Sequence, residues 1–302
     1  MLALLAPGQG SQTPGMLSPW LELPGASDQL SAWSEASGLD LARLGTTASA
    51  EEIADTAVTQ PLVVAATLLA YQELARRGLL SDARIVLAGH SVGEIAAYAI
   101  AGILSADDAV ALAATRGAEM AKACALVPTG MSAVLGGDEA EVLAALEDLD
   151  LVPANRNAAG QIVAAGRMEA LEKLAENPPA RARVRQLATA GAFHTQFMAP
   201  AQDAYATAAA AVSTAEPTAV VLSNADGQPV SSAADAMTKL VAQLTRPVRW
   251  DLCTKTLRQH NVTAIVEFPP AGALSGIAKR ELRGIGNHAV KSPADLDELA
   301  EL

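Results

Sequence analysis

The stretch VLAGHSVGEIAAY, residues 86 to 98, limits the possible folds more than any other part of this chain. A short apolar run ends in Gly-His-Ser-Val-Gly and is followed by a helix-forming segment, an order typical of a nucleophile elbow. Gly89 and Gly93 give room for a strained bend that lifts the hydroxyl of Ser91 clear of the sheet. The pattern predicts an α/β protein in which Ser91 is a nucleophile.

Outside the elbow, strand and helix patterns alternate along the chain. Apolar, β-branched runs predict strands at residues 2–6, 84–88, 218–223 and 263–268. A helix is predicted at 61–77, with Pro61 in its first turn and Gly78 past its end. The alternation indicates a hydrolase-like body built on a mainly parallel sheet.

The order of predicted strands and helices changes between residues 131 and 189. There the pattern predicts strand, helix, strand, strand, helix and strand at 131–135, 138–149, 151–155, 161–165, 168–177 and 183–187. This βαββαβ order is that of a ferredoxin-like unit, which folds compactly and can be inserted in a larger domain. We therefore expect an α/β body of residues 1–127 and 193–302 and a subdomain of residues 128–192, with an active site in the cleft between them.

Composition excludes several kinds of partner. The 302 residues include 21 basic and 33 acidic side chains, a net charge of −12, which argues against nucleic acid. No uncharged stretch reaches the ~20 apolar residues of a membrane span, and the N-terminus resembles a buried strand more than an export signal. Cys124 and Cys253 have neither disulfide-framework nor zinc-site spacing. We expect a cytoplasmic protein with no membrane partner and no metal.

A serine nucleophile needs a base, and histidine is the usual base near neutral pH. Of the four histidines, His90 lies inside the elbow and should point elsewhere. His260, in Arg-Gln-His-Asn, resembles an exposed helix terminus, and His288 lies in a short C-terminal segment without other chemical groups. His194, in TAGAFHTQF, lies where the chain returns from the subdomain to the body. His194 is the predicted base, with a buried core histidine as the alternative. No acidic residue stands out as its orienting partner, which leaves a main-chain carbonyl or an amide.

The helix after Ser105 carries an arginine on its apolar side. Ser105 as N-cap and Asp108 in the capping-box position define where the helix starts. At ~100° per residue, Arg116 falls in the middle of an arc that it shares with Leu112, Ala123, Ala109, Met120 and Ala113. An unpaired buried arginine costs on the order of 3–5 kcal/mol, so this one needs an anion. Three arrangements would avoid this cost: an internal ion pair, a side chain that reaches the surface, or a clamp for a substrate carboxylate.

The chain resembles the malonyl-CoA:acyl carrier protein transacylases through five motifs in order: PGQGSQ, GHSVGE, Arg116 placed 25 residues after Ser91, NRNAAGQIVAAG and GAFH. The match runs nearly end to end and implies the same fold, no cofactor and a role in fatty acid synthesis. It implies a two-step reaction in which malonyl-CoA acylates Ser91 and the phosphopantetheine thiol of acyl carrier protein then collects the malonyl group. One motif departs: relatives usually have Gly-Pro-Gly where this chain has Pro269-Pro270-Ala271, which puts that turn in question.

The resemblance also implies catalytic roles. His194 would be the general base and then the acid that protonates the departing CoA thiolate. The main-chain carbonyl of Gln243 would orient His194, so that no triad acid is needed. The backbone N–H groups of Val92 and Gln9 would form the oxyanion hole.

Substrate contacts are implied in the same way. Arg116 would bind the malonyl carboxylate, in agreement with its position on the helix. Phe193 is similar to the aromatic residue of malonyl-selective acyltransferases, which leaves no room for a 2-methyl branch. Further residues implied in or near the cleft are Asn155, Asn157, Gln60 and Gln161. Gln9 is implied to contact the substrate as well as the oxyanion.

The family resemblance also implies a partner protein and suggests alternative functions. The implied carrier protein is acidic, and two local basic clusters could attract it: Lys279, Arg280 and Arg283 with Arg246 and Arg249, and Arg181, Arg183 and Arg185. The nearest rival is a discrete polyketide acyltransferase that uses another carrier or malonyl derivative. An α/β serine hydrolase and a non-catalytic scaffold are weaker rivals.

Overall fold

The computed structural model describes residues 1–80 and 84–301, which form two separate sheets. The strands in this part of the chain are β1 Leu2–Ala6, β2 Ile85–Gly89, β3 Thr129–Gly136, β4 Val152–Ala158, β5 Gln161–Arg167, β6 Ala182–Gln186, β7 Val220–Leu222, β8 Ala264–Glu267 and β9 Gly286–Ala289. The helices are α1 Ala26–Ser37, α2 Leu41–Thr46, α3 Thr56–Arg76, α4 Gly93–Ile100, α5 Ala106–Cys124, α6 Glu139–Asp148, α7 Met168–Glu176, α8 Ala199–Ala211, α9 Ala233–Ala242, α10 Trp250–Gln259 and α11 Ala273–Glu281. Short 3-10 helices lie at Glu52–Ala54, Gln196–Met198, Gln243–Thr245 and Pro293–Glu301.

The larger sheet is parallel throughout, in the order β7-β2-β1-β8-β9. Both of its faces are covered: Leu4 of β1 packs into one core cluster, whereas Ala3 and Leu5 pack into another. Burial on both faces explains why its strands are apolar runs without alternation. The predicted α/β body is confirmed. The edge strand β9 was not predicted from the sequence, since Gly286–Ala289 has no apolar run.

The smaller sheet is antiparallel in the order β4-β5-β3-β6 and contains the elements predicted as βαββαβ. With α6 and α7 it encloses its own core, made of Val134, Val142, Leu146, Leu151, Ile162, Ala164, Leu171 and Leu174. This is the predicted ferredoxin-like arrangement. The division at 128–192 stays a prediction.

The start of helix α3 differs from the prediction. The helix begins at Thr56, five residues before the expected start, because the carboxylate of Asp55 accepts the N–H of Ala57 at 2.8 Å and caps it there. Pro61 therefore lies inside the helix, where it removes one hydrogen bond. Almost every residue from 59 to 70 is buried, and this packing offsets the loss.

The turn after β8 holds helix α11 through a buried carboxylate. Glu267 has no exposed surface and accepts the N–H groups of Gly272, Leu274 and Ser275 at 2.9, 3.0 and 2.8 Å. Three of the first N–H groups of the helix are thereby satisfied by a negative charge. The unusual Pro-Pro-Ala turn thus leaves α11 anchored.

None of the helices in the described part of the chain has both the length and the hydropathy needed to cross a membrane.

Candidate active site

Ser91 lies on a sharp turn between β2 and α4. Its φ angle is +54°, a left-handed conformation that costs a non-glycine residue on the order of 1 kcal/mol or more. A side chain at Gly89 would overlap the backbone of Gly93, and one at Gly93 would overlap the main-chain oxygen of Ala6, so both positions require glycine. Asn224 holds the turn from behind: its Oδ1 accepts the N–H of Ser91 at 2.8 Å, and its Nδ2 donates to the carbonyl of Gly89 at 2.7 Å. The predicted elbow is present.

His194 contacts the hydroxyl of Ser91. Its Nε2 is 2.8 Å from Ser91 Oγ, and its Nδ1 is 2.8 Å from the main-chain oxygen of Gln243. A carbonyl can only accept, so Nδ1 carries the proton and Nε2 is free to accept from the serine. Burial, and next the charge of Arg116, lower the pKa of His194 to about 3. The imidazole is therefore neutral at pH 7, as a general base must be.

Arg116 lies in the same group of side chains, with 1% of its surface exposed. Its Nη1 donates to Gln60 Oε1 at 2.7 Å; its Nη2 donates to Gln243 Oε1 at 2.8 Å and lies 3.4 Å from Ser91 Oγ. Its Nε has no hydrogen-bond partner among the residues that the structure describes. Arg116 forms no ion pair with the described residues, so the internal ion pair considered from the sequence is wrong there. No carboxylate of the described residues therefore lies within ion-pair distance of this buried charge.

Ser91 and His194 open into a cleft of about 330 Å³ between the two sheets. Its other lining residues include five that sequence analysis named, Gln9, Asn155, Asn157, Gln161 and Phe193. Apolar residues complete one wall: Met131, Val163 and Leu187. Gln60 and Val92 are fully buried next to it, and Gln60 Nε2 reaches Gln9 Oε1 at 3.4 Å. Within the described residues, no group of three or more His, Cys, Asp or Glu side chains is arranged to hold a metal ion.

His90 does not point away from the site, contrary to our expectation. It lines the same cleft as Ser91, with its Nε2 2.9 Å from Asn157 Oδ1 and its ring 5.4 Å from that of Trp250. Burial lowers its pKa. Because it bonds Asn157 and not the serine, it joins the elbow to β4 and leaves the base role to His194.

Two further buried residues support the site and were missed by sequence analysis. Asn224 binds both sides of the elbow, and Glu94 lies directly behind it, with no exposed surface. Both left a signal in the sequence. Glu94 is a carboxylate in an otherwise apolar helix, and Asn224 follows a strand of the parallel sheet at its carboxyl end, where functional polar groups collect.

The chain belongs to the acyl transferase domain family, whose model matches residues 4–294. It is 78% identical to the malonyl CoA-acyl carrier protein transacylase of Mycobacterium tuberculosis over 302 residues, the full length of both chains. Its fold matches the crystal structure of MCAT from Mycobacterium tuberculosis with a TM-score of 0.98, over 99% of each chain. It also matches a malonyl-transacylase in complex with a type II PKS acyl-carrier protein, at 30% identity, a TM-score of 0.93 and 99% coverage of each chain.

Proposed function

We propose that this protein transfers a malonyl group from malonyl-CoA to the phosphopantetheine thiol of acyl carrier protein, and so supplies extender units for fatty acid synthesis. One observation carries the proposal: Ser91 Oγ lies 2.8 Å from a neutral imidazole and 3.4 Å from a guanidinium without an ion-pair partner among the described residues. The contact with the imidazole makes the serine oxygen a nucleophile. The nearby guanidinium can bind an acyl group that carries its own negative charge. The names of the relatives agree with this activity.

The reaction has two half-reactions at the same oxygen. His194 Nε2 takes the Ser91 proton as Oγ attacks the thioester carbonyl; the tetrahedral intermediate then expels the CoA sulfur, which receives that proton. In the second half the carrier thiol gives its proton to His194 and attacks the seryl ester; the tetrahedral intermediate expels Ser91 Oγ, which takes that proton back from His194, and the carrier leaves as the malonyl thioester. The backbone N–H groups of Val92 and Gln9 are proposed to stabilise the oxyanion, since Val92 precedes α4 and Gln9 lines the cleft.

The acyl group is proposed to be selected by charge and by size. The fork of Arg116 would bind the malonyl carboxylate, displacing the amide of Gln60 while Gln243 stays in contact with the guanidinium. Phe193, 5% exposed in the cleft, would limit the space at the 2-position. The amides of Asn155, Asn157 and Gln161 would line the path of the pantetheine arm. An extra methyl group alters binding by only ~1–3 kcal/mol, so the guanidinium carries most of the selectivity.

The carrier protein is proposed to dock on the basic groove next to the cleft. This groove, about 460 Å³, contains Arg258, Arg280 and Arg283, and Arg280 also lines the cleft itself. Arg249 of the same predicted cluster is already paired with Asp251 at 2.8 Å. Of the other cluster, Arg183 and Arg185 lie on the edge strand β6 and Arg181 directly before it, and none of the three lines the cleft.

Reversing one charge in this groove is expected to weaken the carrier half-reaction alone. Arg283→Glu should raise the KM for acyl carrier protein about fivefold at low salt and leave Ser91 acylation by malonyl-CoA unchanged. Arg183→Glu, on β6, is the matched control. A larger effect of Arg183→Glu than of Arg283→Glu would move the docking surface to the smaller sheet.

The activity is tested by supplying malonyl-CoA with and without phosphopantetheinylated acyl carrier protein. We expect malonyl carrier protein as the product, with little free malonate. Release of malonate at the same rate with or without carrier would show a hydrolase. Methylmalonyl-CoA and acetyl-CoA should be poorer donors; faster acylation by acetyl-CoA would contradict the carboxylate clamp.

A polyketide acyltransferase is the second candidate, because one close structural match was solved with a type II PKS carrier protein. Fatty acid and polyketide carrier proteins offered together would separate the two roles by their kcat/KM ratio. We place the reaction in the cytoplasm. The free thiols Cys124 and Cys253 support this proposal, because they suit a reducing compartment.

A further inference from the structure

A buried carboxylate lies behind the site and has no role in the steps above. Glu94 is on the first turn of α4, three residues after Ser91, and none of its surface is exposed. Its Oε1 accepts the N–H of Asn224 at 2.5 Å and its Oε2 accepts from Gln243 Nε2 at 2.6 Å. It forms no ion pair with the described residues. Burying a carboxylate without an ion pair is costly, so a function has to be sought for it.

Gln243 links this carboxylate to both halves of the site. Its main-chain oxygen accepts from His194 Nδ1 at 2.8 Å, and its side-chain Oε1 accepts from Arg116 Nη2 at 2.8 Å. Its Nε2 donates to Glu94, and more weakly to Ser91 O at 3.2 Å. Because a guanidinium only donates and a carboxylate only accepts, the amide can satisfy both in one orientation and not in the flipped one.

We propose that Glu94 is a positioning residue. It holds the Gln243 side-chain amide in the orientation that positions the Arg116 guanidinium and the Gln243 main-chain carbonyl, which orients His194. The inference rests on the proposed function. If Glu94 were neutral, the amide could turn its NH₂ group toward the guanidinium, where two sets of donors would face each other. Displacement of Gln243 would then misplace both the carboxylate clamp and the carbonyl that orients the base.

The protonation state of Glu94 should therefore control activity near neutral pH. Burial raises the pKa of Glu94 to about 7, against the opposing effects of the hydrogen bonds from the Asn224 N–H and the Ser223 side chain and of the charges of Arg116 and Lys239. The pKa of His194, lowered to about 3, leaves the base neutral throughout this range. Below about pH 7 Glu94 binds a proton and can donate as well as accept, so it no longer fixes the orientation of the Gln243 amide and acylation should slow. The titratable or charged groups that act on Glu94 are Tyr98 on α4 itself and, from the elements packed around it, Arg116, Tyr205, Lys239 and Cys253.

The test is the rate of Ser91 acylation by malonyl-CoA in a single turnover, measured between about pH 5 and pH 9. For the unchanged protein we expect a rate that rises through pH 7. Glu94→Gln should be about 10- to 100-fold slower at the alkaline end and should lack the rise. Glu73→Gln is the matched control, because Glu73 is also buried, at 5% exposure, but pairs with Arg76 and Arg77 on α3. It should keep the rate and the pH profile.

A second variant keeps the proposal open to contradiction if Glu94→Gln does not fold. Gln243→Met removes the side-chain link but keeps the main-chain carbonyl, and should show the same flat, slow profile. Adding Glu94→Gln to it should cause no further loss. A wild-type pH profile in either single variant, or losses that multiply in the double variant, would overturn the proposal. Absence of acylation in the unchanged protein would instead reject the proposed function.

Discussion

Ser91→Ala is expected to abolish transfer and to form no malonyl adduct, because the alanine has no oxygen for the acyl group to occupy. Loss of the serine in a nucleophile–histidine unit lowers kcat by on the order of 10⁶. The fold should persist, since Asn224 binds the main-chain N–H at this position and not the hydroxyl. Alanine at φ +54° is strained like the serine it replaces, so the free energy of unfolding should change little.

The measurement is malonyl-CoA turnover combined with the mass of the intact protein. Ser34→Ala is a suitable control, because its hydroxyl also makes a defined hydrogen bond, to Leu30 O at 2.8 Å, but lies on helix α1. It should keep full activity. Turnover retained in Ser91→Ala would support a scaffold without this chemistry and would contradict the acyl-enzyme.

Arg116→Ala is expected to fold and to lose its preference for malonyl-CoA over acetyl-CoA. Removing a buried charged partner of a carboxylate costs about 3 kcal/mol or more, so kcat/KM for malonyl-CoA should fall at least about 100-fold. Acetyl-CoA carries no carboxylate to lose, and its kcat/KM should change much less. The two kcat/KM values measured side by side give the preference directly.

Arg116→Lys is the informative companion to this variant. Lysine keeps the charge but lacks the fork that contacts Gln60, Gln243 and the hydroxyl of Ser91, so an intermediate preference is expected. Malonyl preference retained in Arg116→Ala would refute the clamp. Failure of that variant to fold would assign the arginine a structural role.

Much of the fold and part of the site could be predicted from the sequence, because those features depend on residue type and spacing. The elbow requires glycine at fixed positions, and Arg116 is detectable because a charge interrupts an apolar arc that is buried in the structure. His194 stood out by its place at the return from the inserted unit. Its left-handed φ of +60° was not readable from that pattern.

The remaining features depend on main-chain atoms or on distant parts of the chain. A carbonyl that orients a base can belong to any residue, so Gln243 was found only through the family resemblance. Asn224 and Glu94 are unusual residue types for their local sequence, but their roles depend on contacts across 130 or more positions, which a local pattern does not record. Likewise the edge strand β9 is formed by pairing with β8 and not by its own apolar content.

The central claim is that malonyl passes through a covalent ester on Ser91, and isolation of that species tests it most directly. The protein would be treated with malonyl-CoA, freed of all CoA by gel filtration, weighed, and then mixed with phosphopantetheinylated acyl carrier protein. We predict one malonyl group per chain, located on the peptide that contains Ser91, and its complete movement to the carrier thiol. A malonyl group on another residue, or an adduct that the carrier cannot remove, would contradict the account.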